Sequence, residues 1–331
     1  MAFLKAKLVF GEEPCNYLDA AHIMLCADKN VLRGFGVEVV SILENNSYPI
    51  VFHLFFNGEL PDRERERIEQ LVACYHCCIE VCWIDDTCLK KLHHREDISI
   101  TSYYRFLAPY VLAKAGLNRC LYLDTDMLCV GDLLILFDMD LGNKVAYVVQ
   151  DASSMTKQWQ QHCKDIGMQG IQYFNSGMLL VNTFKYVSED FGMRAVELAT
   201  ANDFEFMDQD VLNILLEDKV IFETNPKFNS IMRLKDKDFD KDVRIVHFTG
   251  KRKPWKQYTC VWGEKNAQPF AWKNAYYKLW RQYFMQSPWQ DEAYDKPVKA
   301  SEWRYMGNAY RWQGQYWQAF CAYIKWVQLK I

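Results

Sequence analysis

Over residues 1–250 the apolar positions fall into short runs separated by polar turns, and the runs alternate between two periods. His22 to Ala27 (HIMLCA) is unbroken by charge and stops at Asp28-Lys29-Asn30, the pattern of a strand buried on both faces. From Val31 to Asn45, Leu32, Phe35, Val39 and Ile42 recur at helical spacing, and Ile50 to Phe56 (IVFHLFF) is a second strand. Strand, polar turn, helix, strand is a βαβ unit. Asn57-Gly58 marks a turn, a helix starts at Pro61 and runs to Tyr75, and Cys78 to Ile84 (CIEVCWI) is the third strand. A loop with His93 and His94 precedes a helix over 102–116, capped by Ser102 or Thr101 and closed by Gly116.

That helix delivers the chain to RCLYLDTDMLCVG, residues 119–131, where an apolar strand stops at Asp124-Thr125-Asp126. Farther on, the pattern predicts a short helix over 133–137, a strand over 144–151 ending at Asp151, and a helix over 157–166. A strand over 172–182 broken by Gly177 and a helix over 187–201 come next. A helix opening at Asp208 or Gln209 and ending near Asp218, a strand over 219–222, and a last strand ending at His247 complete the series. Such alternation predicts a doubly wound sheet with right-handed crossovers. Residues 1–20 carry mixed signals and support no assignment beyond an N-terminal arm.

The site follows from the strand ends. Open α/β sheets bind ligands beyond the carboxyl ends of their strands. Two carboxylates two residues apart on such a loop can hold one divalent cation against a diphosphate. The D-x-D spacing alone says little, because it recurs at Asp138/Asp140, Asp208/Asp210, Asp236/Asp238, Asp238/Asp240 and Asp240/Asp242. Only the copy at Asp124 follows an uninterrupted apolar strand. Asp28/Asn30, Asp208/Gln209 and His247 stand at comparable ends, and Gly250, Lys251, Arg252 and Lys253 form a cationic turn suited to phosphate.

Composition adds a second region. Residues 251–331 hold 14 Lys+Arg against 5 Asp+Glu, hence +9, leaving 25 against 37, hence −12, for residues 1–250. Nine of the eleven tryptophans lie in that last segment, so it reads as a cationic, aromatic, helical region attached to an acidic body. In its tail, Trp312, Tyr316, Phe320 and Tyr323 follow helical spacing with Arg311, Lys325 and Lys330 nearby. That combination suits a helix lying on an anionic membrane surface; a helical cap packed on the body is the plainer alternative.

The net charge of −3 argues against a general nucleic-acid binder. No run approaches the ~18 to 20 apolar residues of a membrane span, and the N-terminal residues lack a signal-peptide core, so the chain is expected in the cytoplasm. The twelve cysteines read as reduced hydrophobes. Cys74, Cys77, Cys78 and Cys82 with His76 invite a zinc reading, but strand alternation separates Cys78 and Cys82 from the other two.

Six segments, LCADKN, ISITSYYR, CLYLDTDML, YFNSGMLLVN, DQDVLN and HFTGKRKPW, in that order, resemble the family-8 retaining glycosyltransferases, a resemblance that covers nearly all of residues 21–290. The likeness is to the bacterial lipopolysaccharide hexosyltransferases that use UDP-glucose or UDP-galactose. The resemblance implies a GT-A fold over residues 1–255 with a C-terminal helical region over 256–331, and transfer of hexose to a lipopolysaccharide core with retention. It also implies a Gram-negative enzyme held at the cytoplasmic face of the inner membrane.

The resemblance makes Asp124, Asp126 and His247 metal ligands, with Thr125 between the acids. Ala27, Asp28 and Asn30 match uridine-binding positions, and Gly250 and Lys253 match diphosphate contacts. Arg105, Asp151, Asn175, Asp208 and Gln209 match positions around the donor sugar. A mixed carboxylate and imidazole set favours Mn²⁺, with Mg²⁺ as the alternative. Retention by double displacement needs a nucleophile, and Gln209 is a neutral amide, so front-face attack is kept open. Two rivals remain at this point. A haloacid-dehalogenase-like phosphatase also opens with strand and D-x-D, but carries Thr or Val where this chain has Leu128, and a nucleotide-sugar-binding protein would not turn its ligand over.

Overall fold

The computed structural model describes residues 3–92, 99–232, 239–260, 274–312 and 314–330. The segment with His93 and His94, Asp236, Asp238, Trp262 and Trp272 lie outside the described residues.

The N-terminal arm is a strand, β1 (Leu4–Phe10). β2 (Ala21–Asp28), α1 (Leu32–Asn45), β3 (Ile50–Asn57), α2 (Asp62–Tyr75) and β4 (Cys78–Ile84) follow. Next come α3 (Tyr104–Lys114), β5 (Arg119–Leu123), β6 (Met127–Cys129), α4 (Leu134–Phe137), β7 (Ala146–Gln150), α5 (Lys157–Asp165) and β8 (Phe174–Asn182). α6 (Thr183–Ser188), α7 (Phe191–Ala201), α8 (Met207–Leu215), β9 (Val220–Glu223), β10 (Ser230–Ile231) and β11 (Ile245–His247) complete the sheet region. The C-terminal helices are α9 (Gln257–Cys260), α10 (Ala275–Gln286), α11 (Ala300–Trp312) and α12 (Tyr316–Gln328).

Among the described residues, eight strands form one sheet in the order β1-β4-β3-β2-β5-β8-β7-β9, and β10-β11-β6 form a second, three-stranded one. β2, β3, β4 and β5 run parallel, whereas β1 and β8 are antiparallel to their neighbours, so the doubly wound core is mixed. Two apolar layers cover its faces. One holds α1 with Phe35, Val39 and Ile42, and the other holds α3, α7 and α8 with Phe106, Phe191 and Val211.

Several boundaries differ from the sequence reading, each for a local reason. Gly177 does not break its strand, since β8 runs through it. The helix expected over 187–201 is two helices, α6 and α7, divided at Asp190, whose φ of 54 is left-handed. The stretch before α3 is a 3-10 turn over Ile100–Tyr103 capped by Ser99, which accepts from the Thr101 amide, so neither Ser102 nor Thr101 is the cap. α12 does not continue the spacing from Trp312, because Gly314 turns the chain at φ 72 and Tyr323 is drawn onto α11, where its ring abuts Gly307.

A buried polar chain ties β1 to the sheet. His22 Nδ1 lies 2.9 Å from His53 Nε2, His53 Nδ1 lies 3.0 Å from Glu80 Oε2, and Lys7 and Tyr17 donate to Glu80 Oε1 at 2.8 and 3.0 Å. Burial alone would raise the Glu80 carboxyl, yet His53 and Lys7 hold it down to about 2.

The aromatic C-terminal region divides. Trp255, Trp280, Phe284 and Trp289 join the core beside α1, and a Cβ at Gly36 would sit 2.2 Å from the Trp289 ring. Arg33 pairs with Glu292 and Asp295, and Arg67 with Asp291 and Glu292, clamping this strap to α1 and α2. α12 instead buries only Ala319 and Ala322 against α11 and exposes Tyr316, Trp317, Phe320, Ile324 and Val327.

Candidate active site and metal centre

Beyond Leu123 the chain leaves β5 and its acids meet two other strands. The Asp124 amide donates to the Gly177 carbonyl of β8 at 2.8 Å. β11 pairs antiparallel with β6, matching His247 to Met127, and the Phe248 amide donates to the Asp126 carbonyl at 3.0 Å. This register brings the three predicted ligands together: one donor atom from each of Asp124, Asp126 and His247 lies within 4.8 Å of the others.

Each group has one atom committed elsewhere and one facing the centre. Asp124 Oδ1 accepts from the Tyr122 hydroxyl at 2.5 Å and from Arg105 Nη2 at 2.8 Å, while its Oδ2 is 3.8 Å from His247 Nε2. Asp126 Oδ2 pairs with Lys253, and its Oδ1 is 3.1 Å from His247 Nε2. His247 Nδ1 lies 3.0 Å from Asn229 Oδ1. Two carboxylate oxygens facing an imidazole nitrogen repel unless a cation or a proton lies between them, so these residues fit a divalent metal. Burial opposes ionisation of Asp126, but Lys253 and His247 outweigh it and hold the carboxyl well below its usual range. No Cβ is tolerated beside this centre, since one at Gly177 would lie 2.4 Å from His247 Cε1 and 2.8 Å from Asp124 Oδ2. A strand glycine at a close approach explains what looked like a break.

Arg105 joins Asp124 to the residues expected around the donor sugar. It also donates to the Ser176 carbonyl at 2.7 Å, pairs with Asp208 Oδ2 at 3.1 Å and lies over the Tyr122 ring at 4.5 Å. Asp208 sits buried at the start of α8, where burial raises its carboxyl and Arg105 opposes the rise. Gln209 Oε1 accepts from the Ser176 amide and from Asn175 Nδ2, both at 3.0 Å, and Gln209 Nε2 reaches Asp151 Oδ2 at 3.4 Å. Asp151 is anchored through its other oxygen by the Ser153 amide at 2.9 Å. The adjacent Asp210 belongs to a separate support, accepting from Tyr173 at 2.5 Å and facing His162 Nε2 at 2.7 Å.

The cationic turn is shaped by hydroxyls from the C-terminal helices. Tyr258 donates to the Lys251 carbonyl, Tyr277 to the Arg252 carbonyl at 2.5 Å and Thr259 to the Lys253 carbonyl at 2.6 Å. Gly250 supplies the positive φ of 73 that the turn requires. Ala27, Asp28 and Asn30 stand at the end of β2, next to β5, with the Asn30 amide donating to Asp28 Oδ1 at 2.8 Å. α1 brings Gly34 against the Thr125 carbonyl, where a Cβ would lie 2.4 Å away. Ser176, Tyr122 and Asn229 complete the site and were not singled out from sequence.

The cysteine cluster forms no comparable site. Among the described residues, the acid and histidine group is the one His/Cys/Asp/Glu set able to hold a metal, with Cys74 exposed and Cys77, Cys78 and Cys82 buried.

The chain is 31% identical over 322 residues to the lipopolysaccharide glucosyltransferase WaaO of Escherichia coli K12, covering 92% of this chain and 89% of that protein. It is also 31% identical over 335 residues to the lipopolysaccharide 1,3-galactosyltransferase of Salmonella typhimurium LT2, covering 95% and 92%. Its fold matches the galactosyltransferase LgtC, solved with donor and acceptor sugar analogs, at a TM-score of 0.64 and 23% identity, over 80% of this chain and 96% of that one. The architecture is therefore GT-A, a mixed sheet covered on both faces with helices appended at the C-terminus. The glycosyl transferase family 8 model matches residues 22–259, which removes the phosphatase alternative: the chain belongs to glycosyl transferase family 8 and is a glycosyltransferase.

Proposed function

We propose that this enzyme moves glucose or galactose from a UDP-sugar to a lipopolysaccharide core acceptor with retention of configuration, at a Mn²⁺ centre held by Asp124, Asp126 and His247. The observation that carries the reading is the convergence of those three donor atoms within 4.8 Å, beside Lys253. The names of the two relatives support the acceptor class. One imidazole among two carboxylates supports Mn²⁺ over Mg²⁺, which prefers oxygen ligands and retains water.

When bound, the cation supplies charge stabilisation for the departing diphosphate. Lys253 offers a second positive charge at the same place, and Arg105 donates to Asp124 Oδ1 and keeps that carboxylate aimed. Ala27, Asp28 and Asn30 hold the uridine, and Gly250 presents the turn to the diphosphate. Asp151, Asn175, Asp208 and Gln209 surround the sugar. Gln209 has its oxygen engaged by Asn175 and Ser176, and a neutral amide is a weak nucleophile, which favours front-face transfer with Gln209 orienting the sugar.

The C-terminal hairpin brings the acceptor into reach. Among the described residues no helix is long and apolar enough to cross a membrane. The exposed face of α12, Tyr316, Trp317, Phe320, Ile324 and Val327, flanked by Arg311, Lys325 and Lys330, supports peripheral contact with anionic lipid at the cytoplasmic face of the inner membrane.

The test is a side-by-side mass-spectrometric screen of UDP-glucose and UDP-galactose with Mn²⁺. One donor is expected to give UDP and transferred or hydrolysed hexose. A protein that binds either donor and leaves both intact would be a binding module, and the reading would fail.

A further inference from the structure

The hydrogen bonds around His247 can be followed atom by atom, and they lead to a residue with no part in the site as described from sequence. The Gly177 amide can only donate, so the Asn175 atom 3.1 Å from it is the oxygen Oδ1. The Asn229 atom 2.9 Å from that oxygen must then be Nδ2, which turns Asn229 Oδ1 toward His247. An oxygen can only accept, so His247 Nδ1, at 3.0 Å, carries the proton and Nε2 keeps its lone pair for the metal. At the far end of the same chain, Asn175 Nδ2 reaches Gln209 Oε1 at 3.0 Å and Asp151 Oδ2 at 3.3 Å.

The backbone is built to hold this relay still. Asn229 directly precedes β10, which pairs with β11 so that Ile231 matches His247, and the Met232 amide donates to the His247 carbonyl at 3.0 Å. Asn229, His247 and Asn175 are all buried, so no bulk water competes for the amide contacts. Phe228, one residue before, packs its ring against Tyr147 in the main core.

We infer that Asn229 is a positioning residue that fixes His247 as an Nε2 ligand and couples the metal centre to the sugar-facing residues Asn175, Asp151 and Gln209. The inference rests on the proposed metal site and goes beyond it. Asn229 needs both ends of its amide: the oxygen serves the metal ligand and the nitrogen serves the sugar side.

The two ends separate by substitution. Asn229→Leu removes both, and Asn229→Asp keeps an acceptor for His247 while removing the donor to Asn175. Direct Mn²⁺ titration without donor, by electron paramagnetic resonance or calorimetry, is expected to give about 10- to 100-fold weaker binding for Asn229→Leu. Asn229→Asp should bind Mn²⁺ at least as tightly as wild type yet show a raised KM for UDP-sugar or a lowered kcat. Melting temperatures report whether each variant folds; if the Leu form does not, the Asp form carries the test alone. Wild-type Mn²⁺ affinity in a folded Asn229→Leu, a tenfold loss in Asn229→Asp, or unchanged UDP-sugar kinetics in Asn229→Asp would overturn the inference. A wild-type protein that binds no Mn²⁺ would overturn the metal reading itself and the inference with it.

Discussion

The strand-end site and the outer face of α12 carry the two strongest signals in the chain, and they are satisfied in opposite ways. At the strand end polar atoms are matched inside the protein: Asp124, Asp126, Asp208 and Gln209 each meet partners from other elements. On α12 large apolar groups are left outside, with Trp317 at 72% exposure, while Trp289, from the same aromatic-rich region, is at 0%. Polar groups held rigidly in a low-dielectric setting suit chemistry, and apolar groups held toward solvent suit attachment. α10, as aromatic as α12, sides with the body, since Tyr276, Tyr277, Trp280 and Phe284 are buried beside α1. The change of composition near residue 250 is therefore a change in amino-acid usage that spans both roles, and we propose that the attachment unit is the α11–α12 hairpin beyond the clamped strap.

The comparison breaks most severely at Asp124 and Asp126, the proposed metal ligands. Asp124→Asn or Asp126→Asn should abolish turnover, a rise of several kcal/mol in the barrier, on the order of a removed oxyanion-type contact or more. Binding to vesicles should be unchanged, and full turnover in either variant would remove the metal assignment.

A milder break within the same site is Gln209→Ala. Steady-state kinetics should show a kcat lowered by about 10²- to 10³-fold, with product of retained configuration still detectable by NMR. A covalent hexosyl adduct trapped on Gln209 of the wild type would contradict the front-face mechanism.

The mirror experiment is made on α12. Tyr316→Ser, Trp317→Ser and Phe320→Ser together should release the protein from anionic vesicles in a flotation assay, while metal-dependent hydrolysis of the soluble donor stays within about twofold. The three side chains are exposed, so stability should hold within about 1 kcal/mol. Equal flotation of variant and wild type would make the face structural.

The smallest effect concerns Glu38, a buried carboxyl of α1 whose two oxygens have no hydrogen-bond partner among the described residues. Burial raises its carboxyl well above 4.5, and the charges of Asp126 and Asp124 add to the rise. Its stability contribution is full below the unfolded carboxyl value and is lost as pH rises toward the folded one. Glu38→Leu should therefore raise stability by about 1–2 kcal/mol at pH 7, a gain that shrinks toward pH 4, as melting curves would register.

How much of this was legible depends on how far each residue's partner lies in sequence. Strand followed by acid is a local pattern, so the Asp124 turn, Asp151 and His247 could be placed at strand ends from the run of apolar residues alone. Choosing among the repeated D-x-D pairs needed more: Asp208 and Asp210 meet partners far away in sequence, whereas Asp140 and Asp240 serve local turns. Asp140 accepts from the Gly142 amide and Asp240 from the Asp242 amide, each two residues on. Asn229 gave no signal because its role exists only when β10 and β11 pair. Gly177 misled for the same reason, since the two side chains that crowd it most closely are His247 of β11 and Asp124, just past β5. On α12 the periodicity was real but its phase was set by Gly314, which no count of aromatic spacing can supply.

The central claim is that the strand end is a metal-dependent glycosyl-transfer site, and it is tested most directly by titrating Mn²⁺ into chelator-treated protein while following UDP release from the preferred UDP-hexose. The account predicts negligible release without metal, a saturable rise with Mn²⁺, and no rise in Asp126→Asn. Release at the same rate in excess chelator, or an unaltered Mn²⁺ response in Asp126→Asn, would contradict it.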